Sequence, residues 1–163
     1  MLSGKDTYKQ RGEIILPTAA LPRSQACSIL CSVLNRNDII YDVKSDNSVT
    51  CLVCAGDKDI PITFSIDTSR MLVTLLAPVS CCITADITTD IALAVCMIND
   101  MISEGSFCFD VTAGLVYYRL TQSYYNQGQS EALYEYMLSC AAELIEEYRP
   151  RLKRLLIHSP RRS

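Results

Sequence analysis

The chain has 163 residues, a length that favours one domain with enough buried surface to fold without disulfide or metal support. Hydrophobic residues make up 49% of it and charged residues 20%, which is typical of a globular protein and excludes an intrinsically disordered one. Residues 149–163 carry six basic side chains and no acidic one, and subtracting these from the net −3 leaves −9 on residues 1–148. Because binding to a phosphate backbone needs a basic face, this acidic body predicts no nucleic-acid partner.

Hydropathy along the chain predicts a cytoplasmic protein that does not insert into a membrane. No apolar run reaches the roughly 18 residues of a transmembrane helix, and the polar start is not followed by the apolar core of a signal peptide. We divide the chain into a partly disordered N-terminal arm, residues 1–21, a single domain, residues 22–157, and a basic tail, residues 158–163. The basic tail is compatible with an acidic partner, with an anionic surface, or with folding back on the chain itself.

The first half of the domain reads as one helix followed by strands joined by short turns. Pro22 suits the first turn of a helix, and Asn35 to Asn37 end it. The helical spacing comes from Ala26, Ile29, Leu30, Val33 and Leu34. Alternating apolar residues separated by turn residues predict four strands. These strands are Ile39 to Val43, Val49 to Cys54, Ile60 to Ile66 and Met71 to Ala77.

The segment from Asp90 to Ile102 predicts a helix that is apolar on about three sides. Thr88 and Thr89 precede it as an N-terminal signal, and no residue from Ile91 to Ile98 is charged. A helix of this kind is buried on more than one side, whereas a helix on a single sheet offers one buried side. We therefore predict a homodimer whose interface contains Leu93, Met97 and Met101.

The segment from Gly105 to Thr121 is the clearest β-hairpin signal in the chain. Phe107, Phe109 and Val111 alternate with polar or small residues in the first strand, and Gly114 closes the turn. In the return strand one tyrosine of the pair Tyr117 and Tyr118 is expected to face the core. Tyr117 shares the other face with Arg119, and these two residues are the predicted patch for contact with a partner.

A long final helix starts near Gln129 or Ser130 and keeps three-four spacing of apolar residues over four turns. Pro150 lacks a donor and clashes with the preceding turn, so the helix stops or kinks there, and the continued leucine stripe favours a kink. The element order is thus α, β-hairpins, α, β-hairpin, α. It predicts an α+β domain in which an antiparallel sheet carries its helices packed on one face.

This order resembles the YbjN family of bacterial proteins, which are linked to the regulation of sensory transduction. The resemblance covers about Pro22 to Leu156 and depends mainly on a helix bearing Asn99, followed by Phe107, Gly114 and Arg119 in the hairpin, and then a long final helix. It implies the fold of type III secretion chaperones and a small dimeric protein with a regulatory or chaperone-like binding function. It transfers no catalytic residue.

The reactive residues do not form a pattern that indicates catalysis or metal binding. The only histidine, His158, lies in the tail, which excludes the usual histidine-dependent triads and any site with several histidines. Nine cysteines are present, and the odd number together with the absence of an export signal argues against a disulfide framework. We expect Cys54, Cys96, Cys108 and Cys140 to be buried as small hydrophobic residues, since they lie within apolar patterns.

Two cysteine pairs have the spacing of partial metal sites. Cys51 and Cys54 are three residues apart, but on a strand they face opposite ways, and no second pair completes a zinc site. Cys27 and Cys31 are one helical turn apart and are more simply explained by packing. We predict no metal, no cofactor and no catalytic residues.

The resulting prediction is a non-enzymatic protein-binding module that acts as a homodimer on an unidentified protein partner. The alternative is a small-molecule-binding domain or an enzyme with an unrecognised site, which a deep apolar pocket with convergent polar groups would support.

Overall fold

The computed structural model describes residues 25–56, 58–80, 83, 87–125 and 128–158. Within them lie three helices and six strands. The elements are α1 Gln25–Arg36, β1 Tyr41–Ser45, β2 Ser48–Ala55, β3 Lys58–Asp67, β4 Leu72–Ser80, α2 Thr88–Met101, β5 Ser106–Asp110, β6 Leu115–Ser123 and α3 Glu131–His158. This is the α+β order that the sequence predicts. The predicted N-terminal arm and the tail after His158 lie outside the described residues.

The six strands form one antiparallel sheet in the order β1-β2-β3-β4-β6-β5. Strands that follow each other along the chain pair as hairpins, except that β6 inserts between β4 and β5. The chain crosses from β4 through α2 to the edge strand β5 and then turns back. The hairpin of β5 and β6 therefore enters the sheet with β6 against β4, which could not be read from local sequence.

One face of the sheet, the inner face, carries the core together with the three helices. Alternation along β3 buries every second side chain from Ile60 to Ile66, and β4 and β6 do the same. Aromatic contacts tie α3 to this face, since the Tyr134 ring meets Phe64 at 5.9 Å and the Tyr148 ring meets Phe107 at 5.8 Å between centroids. Helices on one face of an antiparallel sheet are the architecture predicted above.

One detail of the elements differs from the sequence predictions, and a second decides between two alternatives. Val111 was expected to continue the first hairpin strand, but β5 ends at Asp110 and Val111 lies exposed in the turn. The reason is local: the Asp110 carboxylate accepts a hydrogen bond from the Ala113 N–H at 2.9 Å, which starts the turn one residue earlier. In α3, Pro150 lies inside a helix that continues to His158, so of the two alternatives left open at that residue the stop is wrong.

Candidate protein-binding surfaces

Helix α2 has one side in the core and one large apolar side exposed. Ile91, Val95 and Ile98 are buried among the core residues. Leu93, Met97 and Met101 follow each other at intervals of four residues, so they lie along one line of the helix surface. Their exposed fractions are 61%, 60% and 57%. We call these three residues the α2 stripe.

The position of α2 is fixed by the side chain of Asn99, which binds the free edge of β5. Its Oδ1 accepts a hydrogen bond from the Phe107 N–H at 2.8 Å, and its Nδ2 donates to the Phe107 carbonyl at 2.9 Å. The amide thus satisfies both backbone groups of an edge residue, as a neighbouring strand would. Phe107 is itself buried, so these hydrogen bonds hold α2 against the core.

Replacing Asn99 with Ala is expected to destabilise the fold by about 2–4 kcal/mol, because it leaves both Phe107 backbone groups without their partner. Asn99→Asp is the matched variant, since a carboxylate still accepts from the N–H but repels the carbonyl. Urea unfolding followed by circular dichroism measures both. If Asn99→Ala unfolds at the wild-type midpoint, the bridge contributes nothing to stability.

Tyr117 and Arg119 lie on the other face of the sheet, the outer face, in β6. Tyr117 is half-buried between Pro78 of β4 and Cys108 of β5, which are its cross-strand partners. Arg119 is exposed between Leu76 of β4 and Ser106 of β5. The structure therefore places both predicted residues side by side and adds Leu76 and Pro78, which local patterns could not associate with them. We call Leu76, Pro78, Tyr117 and Arg119 the outer patch.

The two neighbouring tyrosines have different environments, as the alternation predicted. The Cys108 thiol is the largest influence raising the pKa of Tyr117, and the positive charge of Arg119 acts in the opposite direction. Tyr118 is fully buried on the inner face, and this burial is the main cause of its raised pKa. Its hydroxyl donates to the Glu104 carbonyl at 3.0 Å, so the buried phenol is satisfied.

The cysteines with metal-site spacing are separated as predicted or packed in the core. Cys51 is buried on the inner face, whereas Cys54 is exposed, and burial raises the pKa of the Cys51 thiol to about 12. Cys27 and Cys31 are both buried in the core. No group of three or more metal-ligating side chains is present among the residues that the structure describes.

The expectation that four further cysteines are buried is wrong for two of them. Cys108 and Cys140 are half-buried, but Cys54 and Cys96 are exposed. Cys54 lies on the outer face of β2, and Cys96 lies on α2 away from its core side. An apolar neighbourhood in sequence did not translate into burial, because in both elements the adjacent residues point to different sides.

All nine cysteines are predicted to be reduced in the folded protein. Alkylation after unfolding without reductant should then add nine groups by mass spectrometry. Among the seven cysteines that the structure describes, brief labelling of the native chain should reach Cys54 and Cys96 first, because they are exposed. A reproducible shortfall of two additions would reveal a disulfide and contradict the prediction.

None of the described helices is both long enough and apolar enough to cross a bilayer. No protein-family model matches the chain, and no curated protein matches it.

Several solved structures of low sequence identity share the fold. The structure of the ExsC–ExsE complex matches with a TM-score of 0.57 and 16% identity, over 76% of this chain and 90% of that chain. The HopA1–SchA chaperone–effector complex matches with a TM-score of 0.53 and 16% identity, over 75% and 91% of the two chains. YbjN from E. coli matches with a TM-score of 0.54 and 12% identity, over 75% and 90%. The chain thus has the YbjN-like, type III secretion chaperone-like fold, as the resemblance predicted.

Proposed function

We propose that this chain is a non-enzymatic protein-binding module, regulatory or chaperone-like in kind, that acts as a homodimer. The observation that carries the proposal is the α2 stripe of Leu93, Met97 and Met101, three large apolar side chains exposed in one line on one helix. The chaperone–effector complex among the structures of similar fold supports a protein as the ligand. The expected cytoplasmic location belongs to this proposal.

The α2 stripe suits a two-fold interface. Each large apolar side chain contributes about 1.5–3 kcal/mol on full burial, and these three are already about 40% buried in the single chain. Pairing the helices across a two-fold axis uses the same stripe twice, so six such side chains leave water together. Asp90 and Asp100 are exposed on the same helix and provide a polar rim.

Static light scattering at micromolar concentration tests the assembly. The wild-type chain should show twice the single-chain mass of 18.1 kDa. A mass of 18.1 kDa across this range would mean that the stripe does not form a dimer interface.

Capture experiments test the protein-binding function separately. The tagged full chain is incubated with a lysate of its source, and the captured proteins are compared with those retained by a variant carrying Tyr117→Ser and Arg119→Gln. We expect at least one protein that the wild type retains and the variant loses. If the wild type retains no protein, the chain is not a protein-binding module. If the two chains retain the same proteins, the outer patch is not the contact surface for them.

A further inference from the structure

The outer face of the sheet is free of packed helices in the part of the chain that the structure describes. The ring contacts of α3 go to the inner face, and the buried residues of α1 and α2 belong to the same core. The outer face nevertheless contains apolar side chains. Leu52, Leu76 and Tyr117 are half-buried, and Pro61 and Pro78 are exposed.

Four threonines of this face satisfy one another in two pairs. Thr50 and Thr63 share a hydrogen bond at 3.1 Å between their hydroxyls, and Thr74 and Thr121 share one at 3.0 Å. Paired hydroxyls make fewer hydrogen bonds to water, so desolvating these threonines costs less free energy than desolvating four unpaired hydroxyls. The face therefore suits contact with a protein surface.

Arg119 is an exposed basic side chain of this face that has no ion-pair partner among the described residues. Its cross-strand neighbours Leu76 and Ser106 are uncharged, and no ion pair reaches it from the described residues. In a chain whose first 148 residues carry −9, an exposed arginine without a carboxylate is notable. The guanidinium is a fork of donors that matches a carboxylate in two parallel hydrogen bonds.

Two acidic side chains of this face already have partners, and a third lies too far from Arg119 to pair with it. Asp42 forms an ion pair with Lys44 at 2.5 Å at the β1 edge, and the Asp110 carboxylate binds the Ala113 N–H. Asp59 lies on β3, two strands away from β6, and four residues along its strand from the residue in register with Arg119. These separations place Asp59 about 16 Å from Arg119. A carboxylate for Arg119 therefore comes from another molecule.

We propose that the outer patch binds a protein segment that carries an apolar side chain two residues away from an Asp or Glu. This inference rests on the proposed protein-binding function and specifies the chemistry of the partner. Tyr117 and Arg119 are two residues apart on one strand, a spacing of about 6.8 Å. An extended segment repeats its side chains at the same spacing, so its apolar residue meets Tyr117 and Pro78 while its carboxylate meets Arg119.

A second copy of the chain fits this face less well. A two-fold axis through the outer patch brings Arg119 towards the same residue of the other copy, and like charges at a contact repel. In the facing copy, Asp42 and Asp110 already have partners within their own chain. The charges therefore favour a different, acidic partner segment over self-association through this face.

Titration of the isotope-labelled full chain with two synthetic peptides tests the proposal by NMR. The first peptide has the sequence Thr-Leu-Thr-Glu-Thr-Leu-Thr, and in the second glutamine replaces the glutamate. The amides of β4 and β6 should shift, and the glutamate peptide should bind roughly three- to tenfold more tightly, as expected for a carboxylate paired with a partly desolvated arginine. Arg119→Gln should abolish this difference, and Arg119→Lys should retain part of it.

Arg70→Gln is the matched control, because Arg70 is an exposed arginine beside Asp67 in the β3–β4 turn. It should leave the difference between the peptides unchanged. Absence of binding, equal binding of the two peptides, or shifts confined to α2 would each overturn the proposal. So would a wild-type assembly larger than a dimer that Arg119→Glu dissolves, since the face would then bind a second copy.

The titration is repeated on Met97→Asp, which alters the α2 stripe and leaves the outer face intact. Retained preference for the glutamate peptide in a monomeric variant supports the outer-patch proposal independently of the dimer. Loss of the preference there would overturn the assignment to this face. Failure of the capture experiment, with the peptide preference intact, would instead count against the broader function.

Discussion

Gly105→Ala is expected to destabilise the fold by roughly 2–5 kcal/mol, because it combines a strained backbone with a collision in the core. Gly105 has a φ of +66°, in the left-handed region where a side chain costs about 1–2 kcal/mol. A Cβ built there lies 2.4 Å from the Tyr118 hydroxyl and 2.7 Å from the Arg119 carbonyl oxygen. Neither neighbour is free to move, since the hydroxyl is bonded to Glu104 and the carbonyl belongs to β6.

Gly128→Ala separates the two contributions. Gly128 has a similar φ of +68°, but an added Cβ there meets no heavy atom of the described chain within 4 Å. The Gly128→Ala variant should therefore lose only the stability that the left-handed backbone costs, so its urea midpoint should fall by clearly less than that of Gly105→Ala. Equal shifts in the two variants would mean that the contact with Tyr118 costs nothing.

The fold could be predicted largely from local patterns. Alternation and turn residues located the strands, and helical spacing located the three helices, because burial on one side imposes a period of two or of 3.6. The errors come from side-chain chemistry that periodicity does not contain. Asp110 begins the turn before Val111. Pro61, the second residue of the predicted strand Ile60 to Ile66, lies inside β3 without ending it. Leu52, opposite Pro61, donates its N–H towards β1, so in this pair the nitrogen of Pro61 faces β4. The pairing of β3 with β4 begins only at Thr63, so no hydrogen bond to β4 is lost at Pro61.

The candidate surfaces were predictable only within single elements. The spacing of four placed Leu93, Met97 and Met101 on one line, and the strand period placed Tyr117 beside Arg119. The pairing of β6 with β4 is not encoded in either strand alone, so the contribution of Leu76 and Pro78 to the outer patch was missed. The bridge from Asn99 to Phe107 was missed for the same reason, although an uncharged polar residue in an apolar helix was an available signal.

Met97→Asp is expected to convert a homodimer into a folded monomer. Met97 is the central residue of the α2 stripe and is 60% exposed in the single chain, so an aspartate there is solvated in the monomer and the core is undisturbed. In the dimer each carboxylate would be buried against the apolar stripe of the other copy without a partner. Leaving a buried charge without a partner costs roughly 3–5 kcal/mol, so the dimer should weaken by more than about a hundredfold.

Light scattering and circular dichroism together decide the outcome. Met97→Asp should show the single-chain mass of 18.1 kDa with an unchanged far-ultraviolet spectrum. Tyr125→Asp is the control, because Tyr125 is 72% exposed but lies after β6, outside the stripe, and this variant should keep the wild-type mass. If the wild type is dimeric and Met97→Asp remains a dimer at micromolar concentration, the interface lies elsewhere on the molecule. If Tyr125→Asp dissociates as well, the stripe is not the specific contact, because a new charge on a separate surface then has the same effect.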